Sequence, residues 1–159
     1  MTSQVVMYRT PFGPGWILAM GAEVLELGLP GADHPTPAVA VAGEVADLVV
    51  RLEAYWEGRG PLPSAAPLLH NQQLTPFARR VVDVVAAIPA GSTMTYAEVA
   101  SAAGRPGAAR AVGMVNARNR LAPIVPCHRV VGSDGSLRGY AGGLGMKRAL
   151  LAMEASVGD

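Results

Sequence analysis

The sequence predicts an α/β protein in two domains. A small sheet with one helix spans 1–65, a linker spans 66–73, and a mainly helical, winged-helix-like domain with a helix-turn-helix spans 74–159. Three observations predict this. The first third carries short β-branched and aromatic runs broken by glycine and proline. From Pro76 onward, apolar residues recur at helical spacing. Between the two lies the proline-rich stretch "PLPSAAPLLHNQQLTP".

In chain order, "QVVMYRT" reads as a strand and "PFGPG" as a turn. "WILAM" and "VLELGL" follow as short strands. "AVAVAGEVADLVVRLEAYWEG" (38–58) is expected as one helix of about five turns, stopped by Gly58 and Gly60. The proline-rich stretch is expected to be extended. "PFARRVVDVVAAIP" then places Phe77, Val81, Val84 and Val85 on one helical face. "TYAEVASAAG" opens with a capping box, Thr95 with Glu98, and closes at Gly104. "GAARAVGMVNARN" (107–119) is the next helix, and the tight turn before it completes a helix-turn-helix. At about 100° per residue, Ala108, Val112, Val115 and Asn119 share the core face of this helix. Arg110, Gly113, Met114 and Ala117 share the opposite face, where one charge stands among small or apolar residues. Such a face lets a helix backbone approach a surface while a single arginine projects into it. "GLGMKRALLAMEA" is a final amphipathic helix.

Half of the 159 residues are hydrophobic, so a packed core is expected and global disorder is not. No apolar run is long enough to span a membrane, and the first residues do not resemble a secretory signal. A cytoplasmic, nucleoid-associated protein with a reduced thiol is expected. Charge is divided unevenly. Three basic and seven acidic residues give 1–73 a net of −4, whereas ten basic and five acidic residues give 74–159 a net of +5. A basic, arginine-dominated second half suggests a polyanionic partner.

Cys127 is the only cysteine, which excludes an intramolecular disulfide and a cysteine-rich metal site, so no metal is expected. A lone cysteine is either a structural thiol or a nucleophile. A nucleophile needs a lowered pKa, hence a nearby base, cation or helix N-terminus. His128 and Arg129 adjoin it, but neighbouring side chains point apart, so a histidine there acts more readily through a bridging water. Pro126 fixes the backbone before the thiol. His34 and His70 lie in expected loops with no supporting pattern, which argues against a cysteine protease.

"PCHRVVGSDGSLRGYAGG" resembles the active-site segment of the O6-alkylguanine-DNA alkyltransferases. "FARRVVDVVAAIPAGSTMTYAEVASAAGRPGAARAVGMVNARN" resembles that family's helix-turn-helix, and "MKRALLAMEA" its last helix. The resemblance covers the second half strongly and the first half only in layout. It implies a single, irreversible transfer of a methyl or larger alkyl group from O6 of guanine, and from O4 of thymine, in duplex DNA to Cys127. No cofactor is implied, and the nucleotide is flipped out of the helix first. By the resemblance His128 activates the thiol through water and Glu154 orients the imidazole. Tyr96 supplies a donor hydrogen bond to the ring of the leaving base, and Asn119 ties the recognition motif to the cysteine segment. Arg110 fills the vacated space in a minor-groove complex, with Ala109, Gly113, Ala117, Thr95 and Arg118 also on the DNA face. Pro126, Tyr140, Ala141, Gly142, Gly143 and Ala122 are implied to line the base pocket. A monomer is expected, with cooperativity along DNA left open.

The chain departs from the family pattern in four places. Arg120 stands where proline is usual and is expected near a phosphate, and Pro123 replaces a branched aliphatic residue. Ala141 removes a possible hydrogen bond to the base, and Ala122 leaves room for bulkier adducts. Two other readings use the same residues: an alkyltransferase-like protein that binds lesions without chemistry, and a helix-turn-helix regulator. The first lacks the acceptor cysteine, and the second needs a dimerisation helix.

Overall fold

The computed structural model describes residues 2–35, 38–39 and 43–157. The chain forms two compact units, Met1–Gln72 with Arg120–Ile124 and Gln73–Asn119 with Val125–Asp159. The architecture is α/β, with a small sheet and several helices.

In the first unit β1 (Gln4–Tyr8), β2 (Gly15–Met20), β3 (Glu23–Gly28) and β4 (Ala38–Val39) form a sheet in the order β3-β2-β1-β4. β1 and β3 run antiparallel to β2, and β4 runs parallel to β1. Two aromatic residues pack over glycines on neighbouring strands. Trp16 faces Gly28 across the β2–β3 ladder, and a Cβ at Gly28 would fall within the indole ring. Tyr8 covers Gly15 in the same way, and its hydroxyl donates to the Gly28 carbonyl at 2.9 Å. The missing side chains leave room for the two large rings, which the register places on opposite faces of the sheet.

Two sequence expectations are corrected here. The single helix expected over 38–58 is instead strand β4 followed by α1 (Ala46–Trp56). The alternating "AVAV" suits a strand, and Gly43 at φ +55° turns the chain before the helix begins. Residues 40–42 lie outside the described residues. The stretch expected to be extended contains a short helix, α2 (Ala66–Leu69), with proline in its first turn. Beyond it, Asn71 and Gln72 donate side-chain N–H groups to the carbonyls of Val24 and Leu25. The Leu27 N–H donates to the Arg120 carbonyl at 2.8 Å. The outer edge of β3 is thus satisfied rather than left as an open template. Arg120 is held there by Glu26 at 2.8 Å, so the side chain expected near a phosphate has a protein partner.

In the second unit α3 (Pro76–Ala86) is capped by the Thr75 hydroxyl, which accepts from the Ala78 N–H, and Pro76 opens it. Its inner face is Phe77, Val81, Val82 and Val85, with Val82 buried in place of the expected Val84. β5 (Met94–Thr95) pairs in parallel with β6 (Val130–Val131) and leads directly into α4 (Tyr96–Ala102). Both bonds of the Thr95–Glu98 capping box are present. Gly104, at φ +88°, carries the chain past the helix end in the left-handed conformation. α5 (Ala109–Ala117) buries Val112 and exposes Arg110, Met114 and Ala117, so its two faces divide as the sequence predicts. A 3₁₀ turn over Cys127–Arg129 precedes β6, and α6 (Leu144–Val157) ends the unit.

Candidate active site

Pro126 and a tight turn set the thiol. The Cys127 N–H donates to the Val125 carbonyl and the Arg129 N–H to the Pro126 carbonyl, at 2.8 and 2.9 Å. This points Cys127, 6% exposed, onto a cleft of about 960 Å³ in the second unit. Asn119 lies just beyond α5. Its Nδ2 donates to the Val125 carbonyl at 2.8 Å and to Cys127 Sγ at 3.2 Å, joining the end of α5 to the turn.

The residues after the thiol point away from the cleft into a buried charge cluster. His128 is fully buried, with Nε2 at 3.0 Å from Glu154 Oε2. Arg129 grips the same carboxylate with two nitrogens, Nε to Oε1 at 2.9 Å and Nη2 to Oε2 at 2.6 Å, and donates to the Ile88 carbonyl. A carboxylate so held is ionised and only accepts, so His128 Nε2 carries the hydrogen. Nδ1 is then the basic nitrogen. It is buried and meets no protein hydrogen-bond partner among the described residues. Lys147, Leu150 and Glu154 lie at i, i+3 and i+7 on α6, so one helix face carries both buried charges. Lys147 Nζ donates to the Arg138 carbonyl at 3.3 Å.

Burial pushes the Cys127 thiol up, while the Asn119 N–H and the Lys147 charge pull part of the way back. Burial also pushes His128 down, opposed by its bond to Glu154. It pushes Lys147 down, opposed by the charge on Cys127. The resting pair is therefore a protonated thiol and a neutral imidazole, not the pre-ionised thiolate that a lowered pKa would give. A base must take the proton when the electrophile arrives. Tyr96, at the start of α4, is pushed up by burial and then by the Cys127 charge, with Arg138 opposing, so it holds its proton.

Of the residues singled out in the sequence, Tyr96, Ala109, Arg110, Gly113, Ala117, Cys127, Tyr140 and Ala141 line the cleft. The Tyr140 ring meets His128 edge-on at 6.2 Å. His128, Glu154 and Asn119 stand behind the thiol. Thr95 is the α4 cap and Arg118 the exposed C-cap of α5, both outside the cleft lining. Gly142 and Gly143 form the turn into α6, where the Gly143 N–H donates to the Tyr140 carbonyl, and they do not line the cleft. Pro126 is buried beside the thiol, and Ala122 is buried in the first unit with a cis bond to Pro123. Asn116, Arg138 and Gly139 line the cleft unforeseen. For Asn116 the signal was present, since it lies three residues after Gly113 on the same helix. The chain's one lysine, Lys147, was also passed over, although its spacing to Glu154 places both on one face.

A family model described as "6-O-methylguanine DNA methyltransferase, DNA binding domain" matches residues 76–156. The chain is 38% identical to a methylated-DNA–protein-cysteine methyltransferase of Mycobacterium tuberculosis, over 96% of this chain and 94% of the relative. A crystal structure of that organism's O6-methylguanine methyltransferase superposes with a TM-score of 0.82 at 34% identity, covering 98% of this chain and 94% of the other. Its DNA complex superposes at 0.83 and 35% identity, covering 97% and 94%. A helix-turn-helix unit whose cleft ends on a sheltered thiol defines a DNA-binding protein that reacts through cysteine. The chain belongs to the methylated-DNA–protein-cysteine methyltransferase family. Among the described residues, no helix is long and apolar enough to cross a membrane.

Proposed function

We propose that the protein repairs DNA by direct reversal, moving a methyl or larger alkyl group from O6 of guanine, and from O4 of thymine, to Cys127. One observation carries this reading: the thiol, a protonated tyrosine and the arginine-bearing face of α5 open onto a single cleft. The nucleotide is turned out of the duplex, because a stacked base is beyond the reach of a thiol at the floor of a cleft. Arg110 takes its place in the stack from the minor groove. The low profile of Ala109, Gly113 and Ala117 permits close approach there, and Thr95 and Arg118 extend the DNA face. Tyr140 and Ala141 wall the base pocket, and Gly142, Gly143 and Pro126 support it.

His128 Nδ1, through a water, takes the Cys127 proton. Glu154 holds Nε2–H and balances the imidazolium charge. Sulfur attacks the alkyl carbon, the carbon–O6 bond breaks, and its electron pair passes to the guanine ring. Tyr96 gives that ring a proton and recovers one from the imidazolium. The products are guanine and a cysteine thioether. A thioether has no acidic proton and is a poor leaving group, so each molecule reacts once. The protein acts without cofactor, as a monomer, in the cytoplasm on nucleoid DNA.

A titration tests this. With excess duplex carrying labelled O6-methylguanine, uptake should stop at one methyl per protein. Continued turnover, or lesion binding with no uptake, would overturn the reading.

A further inference from the structure

Two polar side chains among the cleft-lining residues, Asn116 and Arg138, have no task in the transfer chemistry, and of the two only Asn116 holds a buried donor without a partner among the described residues. Asn116 lies on α5 and is one of the residues lining the cleft of Cys127 and Tyr96. Its Nδ2 is buried and meets no acceptor among the described residues. The cleft-lining residues nearest it on the helix, Gly113 and Ala117, have no side-chain acceptor to offer. Burying an amide donor without a partner is costly, and such groups are rare in folded proteins unless function uses them. An apolar side chain of the same size would fill this place at no such cost.

We propose that Asn116 is a specificity-determining residue whose side-chain amide donates a hydrogen bond to a ring nitrogen of the extruded purine. This rests on the alkyl-transfer reading above. The donor is distinct from the Tyr96 hydroxyl, which serves the leaving group. A purine bearing an O6-alkyl group has unprotonated N1, N3 and N7, each a good acceptor, so a second donor in the cleft has a partner only when a base occupies it. The same bond favours an alkylated purine over an alkylated pyrimidine, which offers fewer ring nitrogens.

The test compares wild type with Asn116→Leu, and with Asn116→Ala as a second variant, on duplexes carrying O6-methylguanine or its 1-deaza, 3-deaza or 7-deaza analogue. Each analogue removes one acceptor, and the ratio of wild-type to variant rate cancels the analogue's own reactivity. That ratio should be about 5 to 10 for O6-methylguanine, the loss of one hydrogen bond. It should fall to about 1 for one analogue and stay high for the other two. Thermal unfolding supplies the control. Asn116→Leu should unfold at the same temperature or a few degrees higher, because a stranded donor has gone. A ratio near 1 on O6-methylguanine, equal ratios on all analogues, or a lowered unfolding temperature would each overturn the proposal. No transfer by the wild-type protein would instead overturn the alkyl-transfer reading itself.

Discussion

Glu154 should matter more to folding than any other charged side chain of the second unit. It is 3% exposed and accepts from His128 and twice from Arg129, itself 6% exposed. Glu154→Gln keeps the shape but removes the charge, and its amide would point a donor at the guanidinium. Arg129 would then keep the Ile88 carbonyl and one bond to the glutamine carbonyl oxygen, but no countercharge. Stranding a buried charge costs about 3–5 kcal/mol. In a chain of this size that lowers the unfolding midpoint by about 6–20 °C. Arg129→Met should cost somewhat less, because a stranded carboxyl can take up a proton. The double variant removes both charges, so its cost should fall short of the sum by about 2 kcal/mol or more. Thermal unfolding of the four proteins at pH 7.5 gives the midpoints, and urea unfolding gives the free-energy costs. Additive costs, or a Glu154→Gln midpoint within 2 °C of wild type (about 0.5–1 kcal/mol), would refute the reasoning.

Three further outcomes follow from the geometry. Arg110→Ala should slow repair of duplex DNA by about tenfold or more while leaving reaction with the free modified base nearly unchanged; equal losses would remove the flipping role. Because burial holds the Cys127 thiol above its ordinary value of 9.0, alkylation of the DNA-free protein by iodoacetamide should keep rising beyond pH 9. Stability gained by keeping that thiol neutral is full below the unfolded value and is lost as pH climbs through the folded one; a rate plateau below pH 8 would contradict this. Gly28→Ala would place a methyl within the Trp16 indole and break its bond to the Ala32 carbonyl, so unfolding should cost at least about 2 kcal/mol less.

Features fixed by local chemistry were legible in the sequence. The Thr95–Glu98 box needs only four residues, and the two faces of α5 follow from helical rotation alone. The resemblance in "PCHR" pointed to the thiol because that segment is contiguous. What was missed depends on pairing across the chain. Ala38 and Val39 read as helix until β1 offers them a parallel partner, and Arg120 reads as a phosphate contact until β3 supplies Glu26 and the Leu27 amide. Lys147 draws no notice in the sequence because its burial depends on what α6 packs against. The thiol's burial was hidden for a related reason. Sequence shows a histidine and an arginine beside Cys127, but the fold turns both away toward Glu154, and burial then dominates.

The most direct measurement is the mass of the peptide containing Cys127 after the protein has been incubated with duplex DNA bearing O6-methylguanine. The chemistry proposed for the cleft requires a single methyl on that cysteine and unmodified guanine left in the DNA. An unmodified cysteine alongside repaired DNA, or a methyl on any other residue, would contradict it.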